Sequence, residues 1–295
     1  MAAHSETQTT AHGAGALALA SIVSVQCGAA LATGLFDSIG PAGAVLLRAV
    51  FGALALVAVL ALTPGQSLRL GEWPHRDVVL LGITVAAVNL FFYASLDRLP
   101  LGVTVTLEFV GPLGVAVVGS RRRRDLLWVL LAAAGILLLS GGTGGEPIDA
   151  LGVALALAAG AFWGAYIVQS ARVGALEPGI HGATMAALIS AVLVAPFGIA
   201  QGGGEILTPP HLLVGAAVGV LSTAIPYVFE MEALRRLPRA VFGVLMSLEP
   251  AVAAAIGFLA LSQALAATEV VAIALVVVAS AGALRSAAAP PPHDG

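Results

Sequence analysis

Long apolar runs separated by short polar connections extend along the whole chain. Gly, Pro and charged residues divide it into ten candidate spans near 14–36, 41–62, 78–97, 101–119, 126–142, 149–169, 182–200, 211–231, 240–261 and 267–285. Most of these runs approach the roughly 20 apolar residues that cross a hydrocarbon core about 30 Å thick. They are apolar on every face, whereas barrel strands alternate between apolar and polar residues. The pattern therefore predicts an all-α membrane protein of ten transmembrane helices.

Composition supports lipid as the solvent for most of the chain. Of its 295 residues, 59% are hydrophobic and 10% are charged, and the mean hydropathy is +1.01. A soluble core of this size cannot hide so much apolar surface. Residues 1–13 contain no Lys or Arg, so a cleavable signal would lack its basic n-region, and we expect a retained first helix behind a short cytoplasmic tail. The Pro-rich residues 286–295 are predicted to form a disordered cytoplasmic tail.

Charge sets the predicted orientation. The chain has thirteen arginines and no lysine. With the N-terminus in the cytoplasm, the cytoplasmic side holds Arg69, Arg76, Arg121 to Arg124, Arg172, Arg235, Arg236, Arg239 and Arg285. The outer connections hold Arg98 together with Asp37, Asp97, Glu146, Asp149 and Glu205. This distribution follows the positive-inside rule and predicts that both termini are cytoplasmic.

An internal repeat relates the two halves of the chain. Residues 95–112 align with 233–250 at a constant offset of 138 and share seven identities without a gap. Half of ten spans is five, and an odd number makes the second copy enter the membrane from the opposite side. The repeat is therefore predicted to be inverted, with one copy at 14–142 and the other at 149–285. Inverted repeats of this kind are typical of secondary transporters.

Ionisable residues inside spans are costly and mark candidate function. Arg48 and Glu108 lie at matched depth, about 10 Å from the outer face at 1.5 Å per residue, which permits an ion pair. Glu249 falls near the midplane, where a carboxylate can bind and release a proton, and Pro250 removes a helix donor beside it. The predicted substrate and proton pathway comprises Gln26, Arg48, Asn89, Tyr93, Glu108, Pro112, Trp163, Tyr166, Tyr227, Glu230, Glu249 and Pro250.

No enzyme, nucleotide or metal motif accompanies these residues. The chain contains no HExxH, GxSxG or Walker A motif and no cluster of Cys and His, so we expect no catalytic residue, no metal and no cofactor. The run Arg121 to Arg124 is interpreted as an anchor at lipid headgroups rather than a nucleic-acid site. The expected partners are a small solute, protons and lipids, for a monomer or a homodimer. Transport energy then has to come from a gradient.

The chain resembles the drug/metabolite transporter superfamily of EamA type, and within it the bacterial exporters of threonine and homoserine. The likeness extends over nearly all of residues 14–285, and its most specific segment lies at 221–254, LSTAIPYVFEMEALRRLP followed by FGVLMSLEPAVAA. The resemblance implies ten helices around a central cavity and proton-driven efflux of small amino acids across the inner membrane. It also implies roles for Arg48, for Glu108 through Pro112 and for Leu248 through Pro250. Ser262–Gln263 stands where the family usually has a Gly–Glu pair.

Alternatives remain open at the level of the sequence. A zwitterionic amino acid needs a cation for its carboxylate and an anion for its ammonium, and Arg48 with Glu108 or Glu249 can supply both. An exporter of other metabolites or of amphiphilic drugs with the same fold needs only the acids. A membrane scaffold or an intramembrane enzyme is the third hypothesis, although a scaffold rarely needs midplane carboxylates and the enzyme lacks a motif.

Overall fold

The computed structural model describes the backbone of residues 2–65, 75–118, 126–140, 148–176 and 179–288, and the side chains of 13–65, 75–118, 127–138, 148–176, 179–238 and 241–285. Across these ranges the secondary structure is helical, with no strand. The helices are α1 Ala2–Thr33, α2 Phe36–Leu62, α3 Arg76–Leu96, α4 Leu101–Glu108, α5 Val110–Val118, α6 Leu126–Ser140, α7 Ala150–Leu176, α8 His181–Gly202, α9 Pro209–Gly219, α10 Ile225–Arg236, α11 Arg239–Met246, α12 Glu249–Leu261 and α13 Ala267–Ala288. The predicted all-α membrane class is confirmed.

Nine helical segments of the described ranges are long and apolar enough to cross a membrane. One of them, Leu101–Val118, consists of α4 and α5 together, and another, Pro209–Arg236, consists of α9 and α10 together. The predicted fifth span at 126–142 corresponds to α6, whose apolar part, Leu127–Leu138, is shorter than a full crossing. Both flanks of α6 lie outside the described ranges, so the count of ten helices stays a prediction.

Several predicted boundaries differ from the observed ones. Helix α1 begins at Ala2, within the segment predicted as a tail, and α13 continues to Ala288, three residues into the predicted disordered tail. Helix α7 reaches Leu176, seven residues past the predicted end at 169. The predictions for Arg69, the four-arginine run, Glu146 and residues 289–295 lie outside the described residues.

Helix α2 contains a sharp bend at its first turn. Gly40 has φ 69° and ψ 167°, which is not helical, and the regular helix continues from Pro41. Only glycine adopts such a φ at low cost, and proline suits the first position of a helix because it has no N–H to satisfy. The Gln201 side chain of α8 lies where a Cβ of Gly40 would stand, and its Oε1 accepts a hydrogen bond from the Ala42 N–H at 2.7 Å.

The two segments aligned at offset 138 have closely similar backbones. Pro100 precedes α4 with φ −56° and ψ 146°, and Pro238 precedes α11 with φ −56° and ψ 138°. Both helices then break after eight residues, at Phe109 with φ −65° and ψ −11° and at Ser247 with φ −67° and ψ −7°. Each break precedes a proline that cannot donate to the carbonyl four residues back. The local conformation thus repeats along with the sequence.

The packing partners of the two halves also correspond. Helix α3 packs against α7 and α8, while α10 and α9, which form the span equivalent to α3, pack against α1 and α2. Helices α4 and α5 pack against α7, and their counterpart α12 packs against α1. Spans that correspond to each other at offset 138 also pack against each other in three cases. These pairs are α2 with α8, α4 with α12, and α6 with α13. Such a pattern is expected when two copies are related by a pseudo-twofold axis.

Candidate functional site

A cavity of about 700 Å³ lies between the two halves of the bundle. Its walls come from α1, α2 and α3, from the α4–α5 and α11–α12 breaks, and from α7, α8 and α10. Of the twelve residues predicted to form the pathway, the structure brings together on this cavity all except Pro250, which is buried in α12 beside Glu249. Side chains from well-separated parts of the sequence therefore face one space.

Among the described residues, the cavity extends to one end of the bundle. Its lining reaches Gly174 and Gly179, on either side of the α7–α8 connection, Phe242 at the start of α11 and Leu284 near the end of α13. No described residue of the turns at the opposite end, such as Gly34 or Pro100, belongs to the lining. We call these the open end and the closed end.

Glu249 is the first residue of α12 and is buried, with 8% of its surface exposed. Its Oε1 accepts a hydrogen bond from Gln26 Nε2 of α1 at 3.0 Å, and no ion pair compensates it within the described residues. The break before α12 places its carboxylate at a helix N-terminus, where a negative charge is favoured. Because Pro250 has no N–H, the Met246 carbonyl loses its regular helical donor.

Glu108 is the last residue of α4, directly before the other break, and is also buried. Pro112 cannot donate to the Glu108 carbonyl, which instead faces α7. A Cβ added to Gly160 would approach that carbonyl oxygen to 2.6 Å, and one added to Gly111 would overlap the Gly160 carbonyl. The glycines thus let two backbones approach closely and hold Glu108 against the cavity.

Arg48 forms no ion pair with Glu108, although their matched depth permits one and both residues line the cavity. Its guanidinium lies over the Tyr93 ring, 5.7 Å from the centroid, and donates to the Ser222 carbonyl at 3.3 Å. Ser222 belongs to a π-helical turn, Val220–Ala224, that precedes Pro226. That carbonyl is free to accept because the residue four positions later is a proline. The pair does not form because α2 packs against this turn rather than against α4.

Glu230 belongs to a second cluster of polar side chains, which lies nearer the open end. Its Oε1 accepts a hydrogen bond from Ser21 Oγ at 2.7 Å. Tyr166, Ser170 and Tyr227 also line the cavity. Glu230, Glu249 and Glu108 thus contribute three carboxylates to one cavity.

The remaining predicted residues contribute less to the polarity of the cavity. Asn89 Nδ2 donates to the Val85 carbonyl of its own helix at 2.7 Å. Trp163 packs edge-on against Phe109, with ring centroids 5.2 Å apart. Sequence reasoning missed Ser190 and Ser222, since serine is common in apolar helices. The only available signal was the position of Ser222, four residues before a proline.

Polar contacts also join segments at the closed end. Asp149 Oδ1 accepts the Gly152 N–H at 2.9 Å at the start of α7, and Asp149 Oδ2 pairs with Arg98 at 3.0 Å. These two partners, the Gly152 N–H first, lower the pKa of Asp149 below its ordinary value. Gln263 accepts the Leu101 N–H at 2.9 Å and so caps α4.

Groups that could hold a metal are absent from the part of the chain that the structure describes: no three His, Cys, Asp or Glu side chains cluster there. The donors on the cavity are one guanidinium, hydroxyls and amides, and the acceptors are carboxylates and freed carbonyls. This combination can bind a small solute with both a negative and a positive group, or exchange protons through its carboxylates.

Comparisons with known proteins agree with this architecture. The model of the EamA-like transporter family matches residues 150–285, close to the second predicted repeat. The "Threonine/homoserine exporter RhtA" of Salmonella typhimurium SL1344 is 41% identical over 265 residues, covering 90% of this chain and 88% of that protein. The protein of the same name from Escherichia coli K12 is 40% identical over the same coverage.

More distant proteins extend the comparison. The "Uncharacterized transporter YwfM" of Bacillus subtilis is 27% identical over 271 residues, covering 88% of this chain and 90% of that protein. A crystal structure of a protein with 20% identity has the same fold, with a TM-score of 0.66 over 92% of this chain and 96% of that one. The matched relatives are transporters and not enzymes. This chain is a multi-pass membrane protein that belongs to the EamA-like transporter family.

Proposed function

We propose that this protein exports small amino acids, similar to threonine and homoserine, across the inner membrane by proton-coupled alternating access. The observation that carries the proposal is the single cavity on which Arg48 faces buried Glu108 and Glu249. A zwitterionic amino acid needs one cation for its carboxylate and one anion for its ammonium, and hydrogen bonds between ionised groups are stronger than those between neutral ones. Relatives at 40–41% identity are named for export of such amino acids.

The proposed topology is ten helices in two inverted five-helix repeats, with both termini in the cytoplasm. Corresponding packing partners and the matching backbones at Pro100 and Pro238 support the repeat. In the orientation that the arginines predict, the open end of the cavity faces the cytoplasm. An exporter loads its substrate from that side, so an inward-open cavity is the loading state.

Proton coupling is assigned to Glu249. It is buried near the middle of a span, shares the cavity with the carboxylates of Glu108 and Glu230, and has the neutral amide of Gln26 as its hydrogen-bond partner. A carboxylate in such a place can be neutral while the cavity is closed to water and can release its proton when water enters. Protons would then move inward as substrate moves outward.

Proteoliposomes that contain the purified protein test this function. Labelled threonine or homoserine should accumulate on the side from which protons flow when a proton gradient is imposed. A protonophore should abolish this accumulation. The variant Glu249→Gln should transport with little dependence on pH. Glu232→Gln is the matched control, because Glu232 lies outside the cavity and pairs with Arg235 and Arg236 in its own helix. Absence of flux for every small amino acid would reject the substrate.

A second candidate is an exporter of other metabolites or amphiphilic drugs. The observation in its favour is the aromatic part of the cavity wall, to which Phe92, Phe109, Trp163, Tyr166 and Tyr227 contribute. Aromatic rings bind organic cations and flat apolar groups. A thermal-shift panel of amino acids and amphiphilic cations separates the two candidates, because only a zwitterion engages Arg48 as well as the acids.

A further inference from the structure

Within the described residues, five buried polar atoms of cavity-lining side chains have no hydrogen-bond partner. Two of them are Gln26 Oε1 and Ser190 Oγ. The other three are Arg48 Nε, the Tyr93 hydroxyl and Ser222 Oγ, contributed by α2, α3 and the π-helical turn. Tyr93 and Ser222 are 1% and 8% exposed. Buried polar groups are nearly always satisfied in folded proteins, and each one left without a partner costs about 1–3 kcal/mol. These three atoms on adjacent side chains therefore leave hydrogen-bonding capacity that a ligand in the cavity can use.

The three side chains form one group. The Arg48 guanidinium lies over the Tyr93 ring, and the Tyr93 hydroxyl faces Arg48 and Ser222 without a hydrogen bond of good geometry to either. Each group can donate a proton, and Arg48 has no other role than donor. The ligand that completes them must accept several hydrogen bonds and carry negative charge. A carboxylate meets both conditions.

Local packing fixes the position of this group. The π-helical turn approaches α1 and α2 at two glycines: a Cβ on Gly28 would overlap Ser222 Oγ, and a Cβ on Gly52 would lie 2.7 Å from Thr223 Oγ1. The carbonyl freed by Pro226 holds the guanidinium in place. The donors are thus arranged before the ligand arrives, which lowers the entropy cost of binding.

We propose that Arg48, Tyr93 and Ser222 form the subsite for the substrate's carboxylate. The inference rests on the proposed function and deepens it, because it assigns the two ends of the zwitterion. The carboxylate binds between α2, α3 and the π-helical turn, and the ammonium faces Glu108 and Glu249. Substrates without a free carboxylate are therefore poor ligands, whatever their side chain.

Binding to the purified protein in detergent, measured by calorimetry, tests the subsite with L-threonine and L-threoninamide. The wild type should bind threonine at least tenfold more tightly than the amide. Tyr93→Phe and Ser222→Ala should each weaken threonine binding about tenfold, as expected for loss of a hydrogen bond to a charged group, and leave the amide unchanged. Ser280→Ala is the control, because Ser280 Oγ is equally buried and unpartnered but lies outside the cavity.

The outcomes separate the subsite from the export function. Equal binding of threonine and its amide by the wild type overturns the subsite while amino-acid export stands. Binding of 4-hydroxybutyrate, which has the carboxylate but no amine, without binding of any amino acid supports the subsite and rejects the substrate class. If Tyr93→Phe does not fold, Ser222→Ala alone decides, and an unchanged preference for threonine in that variant overturns the proposal.

Discussion

The hairpin around Leu99–Pro100 is buried and tied to its neighbours, whereas its copy around Leu237–Pro238 is half-exposed. Every residue of α4 is buried, and contacts through Gln263, Asp149 and Gly152 join the first hairpin to α12–α13 and α7. In the second copy, the polar contacts described for the turn stay within α10.

The difference follows from position rather than from local sequence. Both copies have the same proline turn and the same break after eight residues. The first belongs to the closed end and the second to the open end of the cavity. One local structure is therefore compatible with both environments. This is what the proposed alternating access requires, and in that proposal the links at the closed end break when the cavity opens on the other side.

The largest expected effect distinguishes the role of Glu108, at the break after α4, from that of Glu249, at the break before α12. Glu108→Gln should raise the KM for threonine about 10–100-fold, because it removes a charge that faces the substrate's ammonium. The pH dependence should persist, since proton transfer is assigned to Glu249. Uptake kinetics in proteoliposomes between pH 6 and 8 measure both quantities. Glu205→Gln, in the exposed turn between α8 and α9, is the control. A flat pH profile with an unchanged KM would exchange the roles of the two acids.

The next effect concerns the close approach of α5 and α7, which the second hairpin lacks because Glu249 is the repeat equivalent of Gly111. Gly111→Ala should lower the free energy of unfolding by about 1–3 kcal/mol, since its Cβ overlaps the Gly160 backbone. Gly114→Ala, in the same helix with no atom within 4 Å of its Cβ, should be neutral or slightly stabilising. Thermal unfolding in detergent compares them. Equal stability of the two variants would contradict the close contact.

A smaller effect is expected at the cap of α4. Gln263→Ala leaves the Leu101 N–H without its acceptor and should cost about 1 kcal/mol. Gln263→Glu, which introduces the residue usual in the family, keeps the acceptor and adds a negative charge at a helix N-terminus. We expect it to be at least as stable as the wild type. A Gln263→Glu variant less stable than Gln263→Ala would show that the amide group has another partner.

The smallest effect is a dependence of the closed end on acid. Folding lowers the pKa of Asp149, so its contacts stabilise the fold above the ordinary pKa of about 4, and this contribution is lost as the pH falls through the lowered value. The variant Asp149→Asn should therefore reduce the change in melting temperature between pH 5 and pH 3, while Asp37→Asn should leave that change as it is in the wild type. The Tm measured at half-unit intervals of pH checks this. An identical slope in wild type and Asp149→Asn would argue against the Arg98–Asp149 link.

Much of the candidate site was accessible from sequence because charge inside an apolar span is rare. Arg48, Glu108, Glu230 and Glu249 stand out in any apolar helix, and eleven of the twelve predicted residues line one cavity. Pro250 does not, since a proline can break a helix from the side that faces away from the cavity. In contrast to these charged residues, Ser190 and Ser222 do not stand out in the sequence, because serine is common in apolar helices.

By itself the sequence determined the apolar helices and the repeat at offset 138, and it predicted the missing helix donor at Pro250 and the depth of each charge. These are local properties of composition, helix rise and proline chemistry. Only the tertiary structure decided that Arg48 meets Tyr93 and the Ser222 carbonyl rather than Glu108. Helices that are apolar on every face give no signal of which face meets which neighbour, so the partners of a buried charge are set by packing between distant segments.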